Sequence, residues 1–236
     1  MDRAGNDVFD PIYLRHCWDG KFLEADEFLL VHGDSVTLFD VPSGRQRWTV
    51  HEILTEPGCE TMIRVSPLRT SFVVFDQHTI SVIASVGDLL WKRTFDDEYV
   101  IDIAIDLAGE GIVARLYNAK SRTGRFLAMT MSSPKAVGES VPSPALASST
   151  RRDFETMWYS RNQVLQWSSL NSGLGSLELG ASYMTIVADL FDSTASPVEA
   201  VDGLVIPIGP SEDGRSQLIR VSQDLRAVDF LKLEEQ

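Results

Sequence analysis

At 236 residues with 44% hydrophobic and 23% charged side chains, the chain can bury a core without metal or disulfide support. Thirty-four acidic against 21 basic residues give a formal charge of −13, which opposes binding to nucleic acid and favours encounter with a basic partner. No run approaches the ~18 apolar residues of a membrane span, and Cys17 and Cys59, 42 positions apart without CxxC spacing, read as reduced thiols.

The opening MDRAGNDVFDPIYLRHCWDGK has no continuous apolar segment, so a cytoplasmic protein without a secretory signal is expected. A strand is expected around residues 13–18. Residues 27–39, EFLLVHGDSVTLF, follow as alternating strand, turn and strand. They overlap LFDVPSGRQRW at 38–48, a strand, a tight turn and a second strand ending on Trp48.

Residues 71–83, SFVVFDQHTISVI, repeat 27–39 without a gap at an offset of 44. Phe28 falls on Phe72, Leu30 on Val74, Val36 on Ile80 and Leu38 on Val82. One residue is lost in the next turn, after which Gly44 matches Gly87 and Trp48 matches Trp91 at an offset of 43. A weaker third copy lays residues 63–75 over 103–115 at an offset of 40, with Val65 on Ile105 and Phe72 on Ile112. A period of this length with several short strands per unit points to propeller blades.

Within the second unit, strands are expected near 60–65, 71–76, 79–84 and 89–95, and within the third at 99–106, 111–117 and 125–131. Asp102 and Asp106 alternate with isoleucines; on a strand they would stand roughly 13 Å apart. That exceeds a glycosidase pair and reads as a solvated face or channel wall. Asp96, Asp97 and Glu98 form an acidic turn between units. Residues 132–150 hold six serines and three prolines, which predicts a mobile loop. Beyond it, Trp158, Tyr159 and Trp167 lie on a hairpin turning at Arg161-Asn162 and could anchor an interface, although alternating hydrophobic positions in a blade explain them equally well. Residues 203–233, GLVIPIGPSEDGRSQLIRVSQDLRAVDFLKL, read as three more strands. The expectation is an all-β, β-propeller-like single domain over 1–236, with about five four-stranded blades, irregular or incomplete. The early strand at 13–18 would complete the last blade.

LFDVPSGRQRW resembles the docking motif of quinoprotein (PQQ-type) propeller repeats, roughly Ala-x-Asp-x-x-Thr-Gly-x-x-x-Trp. Asp40, Ser43, Gly44 and Trp48 stand at matching positions, with Leu38 in place of the alanine. The second copy, VIASVGDLLW, keeps Gly87 and Trp91 but lacks the aspartate. VIDIAIDLAGEGIVARL is similar to the strand passage of WD-type repeats. The resemblance implies structural roles: glycine turns the chain at positive φ, tryptophan covers the neighbouring blade, and aspartate ties down the turn. PQQ-dependent dehydrogenases are longer, secreted and calcium-bearing. This chain lacks their adjacent cysteine pair and an assignable calcium set, so no cofactor is expected.

His16, His32, His51 and His78 have no metal-ligand spacing, and no nucleophile elbow, P-loop or dinucleotide fingerprint is present. The first expectation is therefore a non-catalytic propeller that binds a basic protein, with no nucleic-acid or membrane partner. One version is an immunity or inhibitor protein neutralising a cationic toxin or enzyme. Asp96, Asp97, Glu98, Trp158 and Tyr159 are the candidate partner-binding residues. The alternatives are a hydrolase or lyase with a site in the central channel, and a scaffold subunit of a larger complex.

Overall fold

A computed structural model describes residues 16–58, 61–147, 156–160, 162–168, 173–183, 185–189, 198–200, 203–208, 217–222 and 228–232. They form twenty strands in five four-stranded antiparallel sheets, each built from consecutive strands. Among the described residues there is no α-helix, only a 3-10 turn at Pro144–Leu146 whose start is capped by Ser143 Oγ accepting from Ala145 N. The blade-like meanders expected from the repeat are therefore present, and the fold is all-β and propeller-like.

The first sheet comprises β1 (Cys17–Glu24), β2 (Glu27–His32), β3 (Ser35–Asp40) and β4 (Arg45–Val50). The second comprises β5 (Met62–Val65), β6 (Ser71–Phe75), β7 (Thr79–Ala84) and β8 (Leu89–Thr94). All four strands of the second sheet fall where the sequence pattern puts them. The third comprises β9 (Tyr99–Ile105), β10 (Gly111–Asn118), β11 (Thr123–Thr130) and β12 (Ser133–Glu139). Then come β13 (Thr156–Ser160), β14 (Gln163–Ser168), β15 (Gly173–Glu178) and β16 (Thr185–Asp189), and finally β17 (Val198–Ala200), β18 (Gly203–Ile208), β19 (Gln217–Ser222) and β20 (Val228–Lys232).

Two expectations are corrected. The segment 132–150 contains β12 and the 3-10 turn, so it is not a loop over its described part. β12 is an edge strand of its sheet. An edge strand tolerates serine and proline because one row of its backbone groups needs no ladder partner. Second, Cys17 and Trp18 belong to β1, which pairs with β2 inside the first sheet, so they complete no distant blade; residues 13–15 lie outside the described set. The chain divides into two compact units: Met1–Val100 with Met131–Pro134, and Ile101–Thr130 with Lys135–Gln236.

In the first unit, one face of the first sheet packs on the second sheet. Leu29, Val31, Val36 and Leu38 meet Ile63, Phe72, Val74 and Ile83 in one buried cluster. Central strands β6 and β7 are buried along nearly their whole length, which suits their β-branched and aromatic run SFVVF…TISVIA. In the second unit, Val113, Phe126 and Ala128 pack with Leu146, Met157, Tyr159, Val164 and Leu177.

Candidate protein-binding site

Two tryptophans organise the first unit. In the β3–β4 ladder Leu38 pairs with Trp48 and Phe39 with Gln46, leaving Arg47 as a bulge. In β7–β8, Val82 pairs with Trp91 and Ile83 with Leu89, leaving Leu90. A bulge bends its strand and re-aims the next side chain. Trp48 Nε1 thereby donates to Ser85 O at 3.1 Å in the β7–β8 turn, and Trp91 Nε1 donates to Met131 O at 3.0 Å in the β11–β12 turn. Arg93 adds a bond to Pro134 O at 2.8 Å. Gly44 and Gly87 sit at φ 66 and 95, where only glycine turns freely. Asp40 Oδ2 accepts from Ser43 N at 3.0 Å and from the Ser43 hydroxyl, while Oδ1 takes Arg47 at 3.1 Å. The Ser43 hydroxyl and then Arg47 hold the Asp40 carboxyl below its ordinary range. Asp40, Gly44, Trp48, Gly87 and Trp91 thus lie in turns and blade contacts.

The antiparallel meander sends alternate turns to opposite ends of each sheet. At one end of the first unit lie the β2–β3 turn, the β4–β5 connection, the β6–β7 turn and the β8–β9 turn. Their backbones are joined: Ile53 N donates to Asp34 O at 2.9 Å, Phe95 N to His78 O at 2.8 Å, and Val100 N to Gln77 O at 2.7 Å. Asp76, 1% exposed, is the central tie. Its Oδ2 accepts from Thr55 N and Glu56 N at 3.0 and 2.9 Å, and its Oδ1 from His78 N and Thr79 N at 2.8 and 2.6 Å.

This frame presents Asp34, Glu52, Glu56, Asp96 and Asp97 to solvent, with Glu98 half-exposed beside them. The sequence-predicted Asp96–Glu98 turn is therefore one arc of a larger acidic end. The wider set is not contiguous in sequence, because its members come from three connections that begin at Asp34 and end at Glu98. The Asp-x-x-Thr pattern of Asp76 and Thr79, a side-chain turn signature, was the available signal.

Histidines line the same end. Ser35 Oγ donates to Asp34 Oδ1 at 2.9 Å and lies 3.0 Å from His51 Nδ1. With its single proton committed to Asp34, Ser35 receives a bond from His51. That order, in a serine 4% exposed, is a buried polar relay and the reverse of base-activated attack. His32 Nε2 bonds Thr37 Oγ1 at 2.8 Å, which continues to Thr49 Oγ1 at 2.9 Å. Burial and then His51 push the His32 pKa down, against the opposing pull of Asp34. His78 is held by Phe95 O at 3.1 Å and rests on the Tyr99 ring at 4.9 Å. Among the described residues no group of three His, Cys, Asp or Glu side chains could hold a metal.

In the second unit, Trp158 and Tyr159 are 6% and 5% exposed, so neither presents its ring as an interface anchor. They are paired in β13 with Leu165 and Val164, and the alternation places them in packed layers. Burial and then Asp106 raise the Tyr159 pKa. The Trp167 side chain lies outside the described set. Asp102 is 8% exposed rather than solvated, and Asp106 closes the β9–β10 turn by accepting from Glu110 N and Gly111 N at 2.8 and 2.9 Å.

No protein-family model matches the sequence, and no curated protein matches it. Solved structures with a similar fold are propellers. The Neurospora crassa Pan2 WD40 domain is 10% identical, with 93% of this chain and 66% of that chain covered and a TM-score of 0.49. Kluyveromyces lactis Hsv2p is 12% identical over 93% of this chain and 73% of that chain, TM-score 0.49. The β-propeller domain of the Trilobed protease from Pyrococcus furiosus is 9% identical over 93% of this chain and 72% of that chain, TM-score 0.48. With TM-scores below 0.5 these likenesses lend no weight to any function, and the architecture rests on the five sheets themselves.

Proposed function

We propose that the chain is a non-catalytic, cytoplasmic propeller that binds a basic protein through the acidic end of its first unit. We propose further that its first two blades are of the quinoprotein type, on the Asp40–Gly44–Trp48 and Gly87–Trp91 turns. The observation that carries the binding reading is the placement of six carboxylates on connections tied together by Asp76 and by the backbone bonds of Ile53 and Phe95. A face on which six carboxylates outnumber the one lysine bonded there, Lys92 on Glu52 O at 2.8 Å, steers an oppositely charged partner and repels nucleic acid. An immunity or inhibitor role against a cationic toxin or enzyme is the concrete form, because blocking such a target needs charge and shape but no chemistry.

The test is a titration of the protein with a poly-lysine peptide, together with capture from native lysate, at low and high salt. Binding at about 50 mM salt that fades by about 500 mM is expected, since exposed charges are screened beyond a few ångströms there. The variant Asp96→Asn/Asp97→Asn/Glu98→Gln should weaken capture and flatten the salt dependence. Capture indifferent to both salt and the variant overturns the reading.

A further inference from the structure

The opposite end of the first unit has a different character. Here lie the β1–β2, β3–β4, β5–β6 and β7–β8 turns. Phe22, Leu68 and Val86 are 68%, 67% and 72% exposed at this end, with Leu89 at 42% just beyond. Two hydrogen bonds link the stretches that carry them. Arg69, next to Leu68, bonds Glu24 at 2.7 Å, two residues from Phe22; Ser85 N, next to Val86, donates to Thr70 O at 2.9 Å. Large apolar side chains gathered at one end of a soluble unit mark an interaction surface.

The charges around this region are paired. Arg69 meets Glu24, and Arg47 meets both Glu27 and Asp40. Arg45 is exposed at the same end with Asp26 and Asp88. This end is of mixed sign, Arg45, Arg47 and Arg69 standing among its carboxylates, whereas the other carries carboxylates in greater excess. A chain of formal charge −13 can meet a copy of itself only where like charge does not accumulate. A twofold contact also reverses the sense of each pair, so that Arg69 of one copy faces Glu24 of the other.

We infer that a second copy of this chain docks on the Phe22–Leu68–Val86 end, forming a twofold dimer with paired charges at its rim. The apolar centre supplies the attraction and the ion pairs set the register. The acidic end stays outward on both copies.

Sedimentation velocity of the full chain over about 1 to 200 µM tests the inference, since a weak dimer declares itself as a concentration-dependent shift. A dimer that persists at high salt is expected. The variants Leu68→Lys and Val86→Lys, at exposed turn positions that leave the melting temperature unchanged, should raise the dissociation constant by about tenfold or more, because a lysine in an apolar contact loses hydration. A chain that stays monomeric throughout overturns the inference, even if it captures an apolar peptide or lipid vesicle at this end. So does a dimer that neither lysine weakens.

Discussion

The indole of Trp48 occupies the space that a β-carbon on Gly87 would need. Such an atom would stand 2.8 Å from Trp48 Cγ and 2.9 Å from Cδ2. The matched glycine and tryptophan of the two repeats are therefore in mutual contact: Trp48 of the first blade lies on the Gly87 turn of the second. Gly87→Ala meets both this overlap and the positive φ, and a loss of about 2–3 kcal/mol is expected in urea unfolding. An alanine variant within a few tenths of a kcal/mol of the parent would refute the packing argument.

Trp91 is the better test of the fastening, because it is buried at 7% whereas Trp48 is half-exposed. Trp91→Ala should cost about 3–5 kcal/mol, as large core truncations do. Trp48→Ala should cost less but still lower the melting temperature. Trp91→Phe isolates the indole hydrogen bond to Met131 O and should cost about 1–2 kcal/mol. In none of the three should salt-sensitive capture of a basic peptide be lost at a temperature where the variant remains folded.

Asp76→Ala removes the acceptor of four backbone donors at once. About 3 kcal/mol of destabilisation is expected, the cost of leaving buried donors without partners. Hydrogen exchange locates it: the amides of Thr55, Glu56, His78 and Thr79 should lose protection before the β6–β7 ladder does. If those four amides exchange as in the parent, Asp76 is not the tie that holds the acidic end.

The repeat was legible because its cues are local. Val36 and Leu38 alternate on β3, Ile80 and Val82 on β7, and glycine marks each turn. β12 was hidden because SPKAVGE carries no alternating apolar face; its strand state is imposed by the ladder with β11. An aromatic pair on a hairpin, such as Trp158 and Tyr159, looks alike in sequence whether one face or both are covered, which leaves both blade core and surface anchor open there. Only the packing of Tyr159 with Val113 and Val164, and the near-complete burial of Trp158, decide against the surface anchor. The acidic end was legible only at its contiguous arc, Asp96 to Glu98.

His32 sets a pH dependence whose sign follows from its lowered pKa. The folded chain binds this proton less readily than the unfolded chain, whose value is near 6.5. Its contribution is present above that value and is lost as pH falls through it toward the folded pKa. Urea midpoints should therefore rise as pH is raised toward about 6.5 and level off above it, and His32→Gln should flatten that part of the profile. An unchanged slope in the variant assigns the dependence to other groups.

Each tryptophan reaches forward along the chain, Trp48 to Ser85, 37 positions on, and Trp91 to Met131, 40 positions on. On the ribosome, then, a newly made blade has no latch until most of the next has emerged. The order of assembly runs from the N-terminus, and each step waits for roughly one repeat of translation. A nascent chain arrested just short of Ser85 should still expose the Trp48 indole to a fluorescence quencher, and one arrested well beyond Gly87 should shield it.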